Sequence, residues 1–87
     1  MRKREVTLEN WAAVRSAHSP SFEALQPGVH LMGNAMGHQG LPGPSFIYTS
    51  SILNVDDVNG LVETSNTLYR LGHPHEAYKA WQLFEAA

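Results

Sequence analysis

His73 and His75 flank Pro74 and are followed by Glu76, in an 87-residue chain with five histidines and no cysteine. Imidazoles and carboxylates bind metals and carry protons, so chemistry is sought first in this cluster. Zinc needs three or four converging donors, and a proline opening a helix between two histidines splays their rings apart. The pair therefore reads as surface or helix-capping residues, with no metal assigned. The lack of cysteine removes disulfides, thiolate chemistry and every Cys-based zinc site. Ser, Thr, Asp and His are all present, but no Gly-x-Ser-x-Gly elbow occurs. The clusters Thr49-Ser50-Ser51 and Thr64-Ser65-Asn66-Thr67 read as hydroxyls facing each other across a hairpin. Adjacent Asp56 and Asp57 organise a turn rather than a cation site. The loop 37–44 has three Gly and two Pro but neither Lys nor Ser/Thr at the phosphate-loop spacing. No catalytic residue and no cofactor is expected, and the chain reads as a non-enzyme.

The elements that carry these residues follow from periodicity. Thr7 suits an N-cap, Glu9 the first turn, and Leu8, Trp11, Ala12 and Arg15 recur at helical spacing, which predicts a helix over 7–17. Ser19-Pro20 ends it. Residues 29–36 read as a curved strand, with Val29, Leu31 and Ala35 on one side and Gly33 marking a bulge, a bend or the close approach of another backbone. Two β-prone runs, 45–55 and 61–71, are joined by Asp56-Asp57-Val58-Asn59-Gly60, a reversing turn, and form the central hairpin. After Gly72, Pro74 suits the first position of a helix over 74–86, whose Trp81 and Phe84 read as core anchors. The predicted fold is α+β: a small three-stranded antiparallel sheet, open or curled in an SH3-like manner, with an N-terminal and a C-terminal α-helix. The first run carries apolar side chains on both faces, Ile47, Leu53 and Val55 against Phe46, Tyr48 and Ile52. That pattern calls for a curled sheet, helices on both faces, or an oligomeric contact.

Length and charge narrow the classes further. Eighty-seven residues make one domain, 1–87, burying about 60 to 65% of its unfolded surface. The chain is 43% apolar and only 16% charged, a balance that favours self-association. Arg2, Lys3 and Arg4, in a basic tail over 1–6, supply half of the six cationic residues, and the remainder is acidic. Gripping a phosphate backbone requires several cations on one face, so nucleic acid is disfavoured. Neither a signal peptide nor an apolar run suited to a bilayer is present, which predicts a cytoplasmic location and no membrane contact.

The order Gly33-x-x-x-Gly37-His38-x-x-Leu41-Pro42, then Tyr48-Thr49-Ser50, then Thr64-x-x-Thr67-Leu68-Tyr69-Arg70-Leu71-Gly72 resembles a family of short bacterial and phage or prophage reading frames. The likeness covers residues 29–73 and implies a phage accessory protein, with no activity attached. Combined with apolar surface on two-sided strands, the expectation is a protein–protein interaction module that binds and inhibits or modulates a host protein complex, for example a defence system. A second copy of the chain is the other candidate partner. Tyr48, Tyr69 and Arg70, with loop residues His38 and Leu41, are the expected contact residues. The alternative is a small nucleic-acid-binding barrel using Arg2, Lys3, Arg4, Arg15 and Arg70, with Tyr48 and Tyr69 as stacking rings.

Overall fold

The computed structural model describes residues 3–36 and 43–86. Among them are six strands, β1 (Arg4–Val14), β2 (His30–Met36), β3 (Ser45–Tyr48), β4 (Ile52–Asp56), β5 (Leu61–Thr64) and β6 (Thr67–Leu71), and one helix, α1 (Glu76–Ala86). The strands form one mixed sheet in the order β3-β2-β1-β6-β5-β4, antiparallel throughout except for the parallel β1–β6 pair. The expected three-stranded sheet between two helices is therefore wrong. The protein is mostly sheet, with a single C-terminal helix among the described residues.

The largest correction is at residues 7–17, where 7–14 are strand and 15–17 irregular rather than helix. Val6 and Leu8 alternate inward as strand residues should, and Leu8 pairs with Ala35. The register then slips between Glu9 and Ala12, and beyond the slip Ala13 pairs with Leu31. Leu31 and Ala35 lie four apart on one face of β2, so Leu8 and Ala13 share that face although one is even-numbered and the other odd. The added residue is a bulge, with Asn10 in the left-handed region at φ 51°. This break in phase imitates helical spacing. β1 is also a central strand, and from Trp11 to Val14 every residue is buried.

The two later runs each break in the middle. Run 45–55 is two strands separated by residues 49–51, and run 61–71 turns back on itself at Ser65-Asn66 into the β5–β6 hairpin. The turn at 57–60 does form, between β4 and β5. Asp56 organises it by accepting hydrogen bonds from Asn59 Nδ2 at 2.8 Å and Asn59 N at 3.2 Å.

Sheet order and connectivity together impose curvature. β3 and β4 lie at opposite edges, about 24 Å apart in a flat six-stranded sheet at ~4.8 Å per strand. Only Thr49, Ser50 and Ser51 connect them, and four Cα steps of ~3.8 Å reach about 15 Å. The sheet must therefore curl into a barrel-like shell with a seam between β3 and β4. At one end the seam is stitched: Ile52 N donates to Val29 O at 2.8 Å and Gly28 N to Ile52 O at 2.9 Å.

Val6, Leu8, Leu31, Ala35, Ile52, Val62 and Tyr69 belong to the buried core of this shell. Gly33 permits the β1 bulge to close on β2: an added Cβ would lie 2.9 Å from Glu9 O and 3.1 Å from Trp11 Cα. Of the readings expected for Gly33, close approach of another backbone holds. α1 rests on the second half of β1. His75 caps it, its Nδ1 accepting from Ala77 N at 3.1 Å while its carbonyl accepts the first helical bond from Lys79 N. Pro74 precedes this cap rather than opening the helix, and pairs as a bridge with Trp11. The helix anchor is Tyr78, wholly buried against Trp11, Phe22 and Trp81, with its hydroxyl donating to Glu23 O at 2.7 Å. Trp81 is half-buried as expected of an anchor, whereas Phe84 is 82% exposed and is not one.

Candidate functional site

β3 is short because Pro44 stands immediately before it and the bend at Thr49 follows. It pairs with β2 through Ser45↔Ala35, Phe46↔Asn34, Ile47↔Gly33 and Tyr48↔Met32, and with no other described strand. Side chains alternate across a strand, so Phe46 and Tyr48 share one face and Ile47 takes the other. The face with Ile47 turns toward the core. The other carries Phe46 and Tyr48, 57% and 40% exposed, in edge-to-face contact with centroids 5.2 Å apart at 88°. Met32 and Met36 lie on the same outer side of neighbouring β2, and Met36 is also exposed. Aromatic rings and flexible thioethers together make an apolar surface that adapts to its contact.

Beside β3 the seam opens into a cleft of about 370 Å³, lined on one side by Ile47, Tyr48, Thr49 and Ser50 and on the other by Thr64, Asn66, Thr67 and Tyr69. None of these side chains is charged. The hydroxyl clusters do face each other here, at Ser50 Oγ and Ser65 Oγ, 3.5 Å apart. Two of the other hydroxyls serve the backbone. Thr49 Oγ1 accepts from Leu31 N at 3.0 Å and donates to Ser50 O at 2.8 Å, and Thr64 Oγ1 donates to Thr67 O at 3.2 Å. Each holds a bend that shapes the cleft mouth. Burial raises the Tyr69 hydroxyl above its ordinary value of 10.0, so it is a neutral phenol at physiological pH.

Of the residues expected at the contact, Tyr48 and Tyr69 converge on this cleft, one exposed at its rim and the other buried at its wall. Arg70 points elsewhere and pairs with Glu5, Nε to Oε2 at 2.9 Å. His38 and Leu41 lie outside the described residues. Phe46, not among the expected contacts, is the most exposed ring of the patch, and its position two residues from Tyr48 was the available signal.

The remaining candidates do not assemble. Among the described residues no group of three or more His, Asp or Glu could hold a metal ion. His73 lies against Glu9, whose carboxylate accepts from His73 N at 3.0 Å and sits 3.2 Å from Nδ1, while His75 is committed to the helix cap. The hydrogen bond from the His73 amide, then that from its ring, holds the Glu9 carboxyl below its usual value. A second groove of about 520 Å³ runs between the β1 bulge and α1, lined by Asn10, His73, Pro74, Lys79 and Leu83 among others. No helix among the described residues is long and apolar enough to cross a membrane. No protein-family model matches the chain, and no curated protein or solved structure is significantly similar to it.

Proposed function

We propose that the protein is a non-enzymatic protein-interaction module that engages its partner through the outer surface of β3. The observation that carries this reading is the pair Phe46 and Tyr48, in edge-to-face contact and exposed on a strand paired along one side only among the described residues. Apolar rings exposed at a sheet edge are a binding or aggregation surface, and natural edges are ordinarily blunted with charge. β3 carries none. The Thr49 and Thr64 hydroxyls beside the cleft are bonded to backbone carbonyls. The resemblance over residues 29–73 adds that the partner is a bacterial host protein complex, met in the cytoplasm and inhibited or modulated by the contact.

The nucleic-acid alternative has weaker support. Lys3 is engaged by Glu63 Oε2 and Thr64 O, both at 2.6 Å, and Arg70 by Glu5. A phosphate backbone would have to displace these carboxylates. The test is a photo-crosslinking residue at Phe46, with one at exposed Arg15 as control, in bacterial host lysate. Expected is a discrete partner crosslinked from position 46 and not from 15, competed by the unlabelled protein but not by the folded Phe46→Ser/Tyr48→Ser double variant. Equal crosslinking from both positions, or binding of labelled RNA or DNA that the double variant retains in full, overturns the proposal.

A further inference from the structure

Resting on that reading, we propose that the partner supplies one extended, uncharged segment that inserts into the seam and pairs with the open edge of β3. Thr49 N donates to Leu31 O at 2.8 Å, which fixes the side of the strand on which each amide lies. Backbone groups alternate between the two edges of a strand, so the N–H and C=O of Tyr48 and Phe46 point away from β2, into the seam. Two donors and two acceptors spaced two residues apart are the complement of another strand, and of little else.

Among the described residues β3 and β4 are each paired along one side only, and β3 stands across a cleft of about 370 Å³ from Thr64, Asn66, Thr67 and Tyr69 of β5, β6 and their turn. Its other end is closed by the Ile52 bonds to residues 28 and 29, so an entering chain runs along β3 and stops at the bend. The chemistry of the walls selects the occupant. No charged side chain among the described residues lines the cleft, and burying an unpaired charge there is unfavourable, so the segment is neutral. Alternate residues meet two environments. One set faces Ile47 and Tyr69 and is small or β-branched; the other emerges beside Phe46 and Tyr48 and is apolar or aromatic.

The probe is a displayed library of random heptapeptides selected on the full chain, followed by amide NMR with the recovered peptide. Expected are neutral, β-branched-rich peptides whose binding shifts the amides of Phe46 and Tyr48 and protects them from exchange. N-methylation of alternate peptide residues in one phase should weaken binding about tenfold or more, and in the other phase leave it unchanged. Helical or charged peptides, or equal tolerance of both N-methyl phases, overturn strand addition. Peptides that instead shift Leu83 and Lys79 refute the seam while leaving a protein-binding role standing, and a selection that enriches nothing counts against both.

Discussion

Tyr78 should be the side chain on which the helix depends, and the two aromatic residues of α1 that look alike in sequence, Tyr78 and Phe84, should respond oppositely to truncation. Tyr78 is 0% exposed. Its ring contacts Phe22 at 5.2 Å, Trp11 at 5.5 Å and Trp81 at 5.6 Å, and its hydroxyl donates to Glu23 O. Removing a buried aromatic side chain costs about 3 to 5 kcal/mol, combining lost transfer energy with the cavity left behind. The ring pairs place Tyr78→Ala toward the upper end of that range, since each is worth ~0.5 to 1.5 kcal/mol beyond its area. Against a total of roughly 4 to 13 kcal/mol for a chain this size, the variant is marginal or unfolded. Tyr78→Phe keeps the packing and loses one hydrogen bond, about 1 kcal/mol, or roughly 4 to 8 °C in Tm. Phe84, 82% exposed, should change stability by no more than about 0.5 kcal/mol when cut to Ala. The assay is urea unfolding followed by near-ultraviolet circular dichroism, with m-values compared across variants. If Phe84→Ala destabilises as much as Tyr78→Ala, or Tyr78→Phe is silent, the helix docks through another face and the reasoning fails.

Gly33→Ala should destabilise by about 1 to 3 kcal/mol, because its φ of 156° and the Glu9 carbonyl 2.9 Å from the new methyl leave no relaxed position; an unchanged melting midpoint would show the bulge to be pliable. At the bulge itself, Asn10→Gly should stay within about 0.5 kcal/mol, while Asn10→Val, β-branched at φ 51°, should lose roughly 1 to 2 kcal/mol in the same unfolding experiment. Stability should also fall in acid. The hydrogen bonds from His73 hold Glu9 below 4.5, and those from the Asn59 side chain and amide hold Asp56 below 3.8. A carboxyl lowered on folding adds stability that is complete above its unfolded pKa and lost as pH falls through the folded one. Urea midpoints should therefore be level from neutrality to about pH 5 and decline below 4.5, with Asn59→Ala removing the Asp56 share; a midpoint flat to pH 3 would contradict both bonds. At the alkaline end, burial raises Tyr69 and Tyr78 above 10.0, so stability should be lost as pH rises from 10.0 through their folded values, monitored by tyrosinate absorbance.

Local chemistry in the sequence determined the parts of the protein that are local in space. Asp56 and Asn59 close their turn because the bonds span three residues. His75 caps α1 from the adjacent position, and Gly33 signals a backbone approach because no other residue fits one. Alternation in β2 was legible for the same reason, as it is uninterrupted from His30 to Met36. Tertiary structure decided whatever depended on phase across a break. The bulge at Asn10 gave β1 a helical spacing, and only its pairing with β2 on one side and with β6, more than 60 residues away, on the other makes it a strand. The bend at residues 49–51 exposes Tyr48 yet buries Ile52, two residues of equal parity that a straight strand would put on one face. Phe84 likewise shares a helical stripe with Trp81, but α1 reaches the sheet mainly through β1, and its last turn runs beyond that support. The open cleft is the furthest from sequence, because it lies where the seam beside β3 meets the β5–β6 turn, set by how far a six-stranded sheet curls before three residues must bridge its edges.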